Sequence, residues 1–356
     1  MRCSLFEIVA FRTPGGTRTL QSNEDLVEAG DLDALTKRIE SLCSDGAWAL
    51  VVDIRDRCRA ALSRGKQLWP AAAYADYRVA LDAPAMTAVS VLDSPAERFA
   101  LGPFAEVLAS RHRFEEMAAH LGRGPSQYGV AHERVVRGED LRAYKSGLGD
   151  QDPFGLPLVL APWEPAYTVP TYEPARLLAP TPPLPTFGQS VEKERQSQVR
   201  RLTSESESEN ALRELVSVWL SQSNGRSEVV SVEGSAADAV AALGCRHYRL
   251  GPLTASRAID WMAWAAASGG AHGRRRGMAA GRHSALWALL ELAGVAEPDL
   301  VVSEAVLEEL AEALPEFRFY AWDDGAPATG WSLRIAIEDT SDGVAWALNA
   351  ADARLD

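Results

Sequence analysis

The chain has 356 residues, with 36 basic and 49 acidic side chains and a net charge of −13. An apolar share of 47% with ten tryptophans is enough to fill a core, which excludes a disordered chain; at about 150 residues per domain it points to two bodies. The acidic balance argues against a surface built as a whole to coat nucleic acid or anionic membrane, and no apolar run approaches the roughly 20 residues that span a bilayer.

The first residues, Met1 to Phe11, are interrupted by Glu7 and too short for a signal-peptide core with a cleavage site. From there to residue 150 apolar residues recur with helical period. Ala47, Leu50, Val51, Ile54, Cys58 and Ala61 mark one stripe; Leu101, Phe104, Ala105 and Leu108 a second, with Pro103 in a first turn; Phe114, Met117, Ala118 and Leu121 a third. Breakers at Gly46, Trp69-Pro70, Pro84, Pro95, Gly102-Pro103 and Gly122 to Pro125 cut this region into short helices. The expectation is an irregular, α-solenoid-like helical array over 1–150, without a strict sequence repeat.

Ten of the 20 prolines fall between Gln151 and Phe187. Each removes a backbone donor and restricts its predecessor, so neither a helix nor a central strand is expected there. Phe154, Leu156, Leu158, Leu160, Trp163, Tyr167 and Tyr172 are too costly to leave in water, so 151–202 reads as an extended strap packed on its neighbours, with one short strand at Leu156 to Leu160.

Beyond the strap the pattern is mixed. Thr203-Ser204-Glu205 opens a helix whose buried stripe is Leu212, Leu215, Val216 and Trp219 and which ends at Asn224-Gly225. A strand at Val229 to Val232, a helix at Ala236 to Leu243 and a strand at Tyr248 to Leu250 follow. Helices are expected at Ala255 to Ala267, Arg282 to Ala293 and Glu304 to Leu314. Phe317 to Trp322, Trp331 to Glu338 and Val344 to Leu348 read as strands, the last compatible with a helix. In the middle one Trp331, Leu333, Ile335 and Ile337 alternate with polar or small residues, the period of a sheet with one solvated face. The fold class is therefore α+β: a helical array (1–150), a Pro-rich strap (151–202) and a mixed α/β domain (203–356) with a small, largely antiparallel sheet.

The candidate site is Ser268 to Ser284, S-G-G-A-H-G-R-R-R-G-M-A-A-G-R-H-S, with five glycines, four arginines and no acid. Glycines let backbone N–H groups approach an oxyanion, a helix start adds positive potential, and arginine forks clamp phosphate. Gly269, Gly270, His272, Arg274, Arg275, Arg276, Arg282 and His283 are the candidate ligand-binding residues. The segment lacks both the P-loop and the dinucleotide-fold order of glycines, and a flexible solvated connection would have the same composition. Arginine also supplies all but four of the basic residues (Lys37, Lys66, Lys145 and Lys193), a bias that fits GC-rich coding.

Other constellations are weaker. His132-Glu133-Arg134-Val135-Val136 starts like a zincin helix but has Val136 where the second histidine belongs. Cys3, Cys43, Cys58 and Cys245 contain no C-x-x-C pair, which argues for reduced thiols and a cytoplasmic setting, and Cys245 reads as core despite its neighbour His247. Asp323, Asp324, Glu338, Asp339 and Asp342 match turn chemistry better than a cation site. Trp261, Trp264 and Trp287 read as core on helices flanking the arginine segment.

The stretch Ala265 to Gly294, with Trp287, Gly294 and the later Trp322 and Gly330-Trp331, resembles a core block of an uncharacterised domain family of high-GC bacteria. That resemblance supplies no catalytic residue to carry over and raises the anion-loop reading; no cofactor is expected. With no strong catalytic constellation and an array architecture, the expected function is a non-enzymatic protein-interaction or scaffold role with a protein partner. The alternative is an enzyme or sensor binding a phosphorylated small molecule or nucleotide at 268–284; local nucleic-acid binding by the same arginines is a weaker third.

Overall fold

The computed structural model describes residues 22–95, 100–122, 124–149, 151–192, 200–202, 206–296, 301–326 and 330–353. Met1 to Phe11 with Cys3, the Thr203-Ser204-Glu205 helix start and Lys193 lie outside the described residues. The chain forms two compact units, Met1–Ala75 and Asp76–Asp356.

The first unit is helical. α1 (Asn23–Ala29) starts in a capping box between Ser22 and Asp25, and the αL residue Gly30 ends it. Asp31 caps α2 (Leu32–Ser44), and Val51, Ile54, Cys58 and Ala61 form the buried stripe of α3 (Trp48–Leu62). α4 (Trp69–Asp82) crosses the division between the units.

The second unit begins with short helices: α5 (Ala85–Ala88), α6 (Phe104–Arg111), α7 (Phe114–Ala118), α8 (Pro125–Val135) and α9 (Lys145–Leu148). Pro103 is the residue before α6 rather than part of its first turn. The strap follows, and two expectations there are corrected. Leu156 to Leu160 is not a strand, because its carbonyls have other partners: Leu158 O accepts from Leu141 N, and Pro157 O and Val159 O accept from Arg282. Instead β1 (Thr171–Glu173) and β2 (Arg176–Leu178) form a hairpin around Pro174-Ala175, where proline suits the turn. Leu156 and Tyr167 enter the core, Phe154, Leu160, Trp163 and Val169 pack against it, and Asp260 accepts from Thr168 N and Oγ1 at 2.8 and 2.6 Å.

The remaining elements are β3 (Ser190–Glu192), α10 (Glu207–Glu214), α11 (Ser217–Gln222), β4 (Arg226–Glu233), α12 (Ala236–Ala242), β5 (His247–Leu253), α13 (Ala255–Ala267), α14 (Met278–Leu292), α15 (Glu304–Ala313), β6 (Phe317–Asp323), β7 (Trp331–Asp339) and β8 (Val344–Asp352). The helix expected through Val216 is divided into α10, capped by Ser206, and α11. Ala345 to Ala350 is strand, not helix. The six-stranded sheet has the order β3-β5-β6-β7-β8-β4, and all its pairs are antiparallel.

Leu333, Ile335 and Ile337 of β7 face the main core with α10, α13, α14 and α15. The opposite face is not simply solvated: Ala336, Ala345 and Ala347 are covered by Ala236, Ala239 and Val240 of α12. Arg334, also on β7, extends over Trp322 at 5.1 Å and pairs with Asp324 at 2.6 Å. α14 is apolar and buried on nearly every side, as a helix in the centre of a layered unit must be. Cys245 is half-buried in the turn before β5 rather than on a strand, and burial raises its thiol pKa. Asp323, Asp324 and Asp339 accept from backbone N–H groups of their own turns. Cys43, Cys58 and Cys245 form no disulfide, and no helix of the described residues is long and apolar enough to cross a membrane.

Candidate functional site

Of the Ser268–Ser284 segment, residues 268–277 link α13 to α14 and the rest forms the first turns of α14. Ser268 accepts from Trp219 Nε1 at 2.9 Å, and Arg276 N donates to Ala267 O at 2.8 Å, so the connection folds back on α13. Arg282 lies inside α14 rather than at its start, because the helix begins at Met278. The segment contains no acid, yet four carboxylates from distant parts of the chain reach it.

Asp352, at the end of β8 and 1% exposed, accepts from Ala271 N at 2.6 Å. Gly270 turns the chain there at φ +66°, and a Cβ on it would strike the same carboxylate. Glu106 of α6 is fully buried and accepts from Arg275 Nε (2.7 Å) and Nη2 (2.8 Å), Met278 N (3.1 Å) and Tyr172 Oη (2.5 Å). Glu133 of α8 accepts from Ala279 N at 2.9 Å and Arg137 Nη1 at 2.8 Å. Gly277, at φ +94°, precedes α14; a side chain there would put its Cβ 2.5 Å from Glu133 Oε1. Glu164 of the strap takes a fork of two bonds from Arg282, at 2.7 and 2.8 Å, and both side chains are inaccessible to solvent.

These contacts reproduce an anion cradle: the first amides of a 15-residue helix, glycine turns and arginine forks. Its occupants are carboxylates of the same chain. Burial pushes the Glu106 carboxyl upward, but Arg275, with help from Arg137 and Tyr172, outweighs burial and holds it below the usual carboxylate range. Burial and then the negative charge of Glu106 push Glu133 up to about 7, against the pull of Arg137 and the Ala279 amide. The two carboxyls are a coupled pair whose second proton is held near neutrality. Burial opposes the charge on Arg275 and Arg282, and Glu106 and Glu164 reverse that, so both stay firmly protonated.

The other candidates separate into two groups. His272, Arg274 and Arg276 are exposed. Their loop is fixed by backbone: His272 N donates to Ser223 Oγ, Arg274 N to Gln222 Oε1, and Arg276 reaches Glu214 only at 3.9 Å. The carbonyl of Gly273 packs against Gly269, too close for a side chain. His283 stacks on Trp287 at 6.4 Å between centroids and meets Phe154 at 6.1 Å; burial, with Arg276 and His132, lowers its pKa. Phe154 also packs edge-on against His132, which is fully buried with Nε2 3.0 Å from both Asp152 oxygens. His132 Nδ1 has no hydrogen-bond partner among the described residues. Trp261 and Trp264 are buried, meeting edge-to-face at 5.8 Å, and Trp287 is half-buried.

Glu106, Glu164, Asp352 and Arg137 are not among the residues that the sequence reading singles out, and Glu133 and Tyr172 appear there only as part of a zincin-like start and as a buried strap residue. One signal was present: Glu106 interrupts Phe104, Val107 and Leu108, and Glu133 sits among Val130, Ala131 and Val135, acids on helix faces otherwise read as core. A cleft of about 290 Å³ bordered by Arg113, Glu139, Asp140 and Tyr144 includes no residue of 268–284.

A model of one protein family matches residues 33–353. The chain belongs to the DUF6183 family, a family of unknown function. The DUF6183 match runs through helices, strap and sheet alike, far beyond the 265–294 block on which the sequence resemblance rests. No curated protein and no solved structure matches this DUF6183 chain.

Proposed function

We propose that this DUF6183 protein is a non-enzymatic interaction or scaffold protein of the cytoplasm that presents the surface of its Asp76–Asp356 unit to a protein partner. The observation that supports this reading is the internal filling of the anion cradle. Arg275 and Arg282, the two best-placed clamps, are spent on Glu106 and Glu164, whose side chains have no solvent exposure. Groups sealed in this way join α6, α8, the strap and β8 to α14 and the turn before it. The network makes the unit rigid, which is what a binding surface needs.

The test is reconstitution. Proteins crosslinked to the chain in its native host are purified and mixed with it, and light scattering after size exclusion should show a defined complex. A chain that stays alone with every crosslinked candidate refutes the proposal.

A second reading retains Arg274, Arg276 and His272, which remain exposed on one loop, as contacts for a phosphorylated small molecule or nucleotide. It requires that a panel of nucleotides and sugar phosphates raise the melting temperature and that R274A/R276A abolish the rise. No shift with any member refutes it.

A further inference from the structure

Residues 179–186 read A-P-T-P-P-L-P-T. Prolines at 180, 182, 183 and 185 fix φ near −65° and hold Ala179, Thr181, Pro182 and Leu184 extended, and the described chain has no cis peptide bond. Prolines at this density bias the segment toward polyproline II, a three-sided prism with three residues per turn. Pro182 and Pro185, three apart and so on one edge of such a prism, are buried, whereas Ala179, Pro180, Thr181, Pro183, Leu184 and Thr186 are exposed.

The inward edge is tied down. The Pro185 ring lies against Gly251, where a Cβ would approach it to 2.7 Å, and Pro183 O accepts from Arg257 Nη2 at 2.7 Å and Trp261 Nε1 at 3.4 Å. The two outward edges carry Pro180 with Pro183, and Thr181 with Leu184. Leu184 is 60% exposed, among the most exposed large apolar side chains described. The prism is thus preformed and anchored, with the ordering entropy of the ligand segment already met by folding.

We propose that this outward face docks a partner domain whose groove is walled by aromatic side chains and reads polyproline II, with Pro180 and Pro183 in adjacent slots and Leu184 beside them. The i, i+3 proline spacing on one exposed edge, the apolar Leu184 on the next and the third edge held by the host are the features such a groove reads. This rests on the interaction reading above and names its surface and the class of its partner.

The full chain is tested by biolayer interferometry against immobilised, purified SH3, WW and EVH1 modules. The variants are T181E/L184E, which changes only exposed side chains, and M86E as a control at another exposed position; thermal melts establish that each is folded. At least one module should bind the wild-type chain in the micromolar range, T181E/L184E should weaken that binding at least about tenfold, and M86E should leave it unchanged. Absence of binding to every module, or equal binding by T181E/L184E, overturns the proposal. If the reconstituted complex with a native partner also survives T181E/L184E, the interaction reading stands and this surface falls. If the wild-type chain forms no such complex, the interaction reading itself falls.

Discussion

Replacing Arg275 by alanine is the most direct probe of the filled cradle. Arg275 is 6% exposed at its side chain and Glu106 is not exposed at all, so the substitution strands a carboxylate in a medium that cannot hydrate it. Breaking a buried pair from one side costs about 3–5 kcal/mol. Glu106 would keep two of its four hydrogen bonds, from Tyr172 Oη and Met278 N, which puts R275A at the lower end, about 3 kcal/mol. E106Q leaves the guanidinium buried opposite a neutral amide and should also destabilise. R275A/E106Q removes both charges, so it should lose less than the two single changes together, with a coupling of about 1–3 kcal/mol. Urea denaturation followed by tryptophan fluorescence measures all four proteins. A loss below about 1 kcal/mol in R275A, or strict additivity, would show that the pair is not the joint described here.

Three further outcomes follow from the same geometry. Because burial and Glu106 raise Glu133 to about 7 from an ordinary value near 4.5, the folded state holds the proton more tightly than the unfolded chain; the associated stability is complete below pH 4.5 and lost as pH rises through 7, by roughly 3 kcal/mol, and E133Q should flatten that slope in pH-dependent melts. R282A leaves Glu164 unpaired and the Pro157 and Val159 carbonyls without their donor, so hydrogen exchange should rise across residues 151–170 well before it rises in β7, and unchanged strap protection would contradict the role given to this pair. G277A forces a side chain into φ +94° against Glu133 and should cost about 1–3 kcal/mol in a urea melt, whereas the same change at Gly343, in an open turn, should cost less; equal losses would remove the case for Glu133 seating at α14.

The elements with strong period were legible along the chain. The stripe of α3 and the alternation of β7 follow from one local pattern each, and the sequence ranges expected for them nearly coincide with those observed. The strap shows where local reading stops. Ten prolines correctly argue against regular secondary structure over most of 151–187, but whether Leu156 to Leu160 pairs as a strand depends on a donor more than 100 residues away, Arg282. The β1–β2 hairpin was signalled by Pro174, yet three-residue strands give too short a pattern for period to register.

The site demanded the opposite kind of inference. In Ser268–Ser284 the amides of Ala271, Met278 and Ala279 and the forks of Arg275 and Arg282 engage carboxylates of the chain itself. What a linear reading cannot supply is whether the anion is foreign. The acids that the segment meets, at positions 106, 133, 164 and 352, are each separated from it by most of a domain. The informative feature was therefore not the absence of acids near the arginines but the presence of single acids on faces otherwise fit only for burial. An acid on such a face needs a cation or a helix start to be tolerated there. Two of the four acids, Glu106 and Glu133, lie on such faces, whereas Glu164 is in the strap and Asp352 at the end of β8.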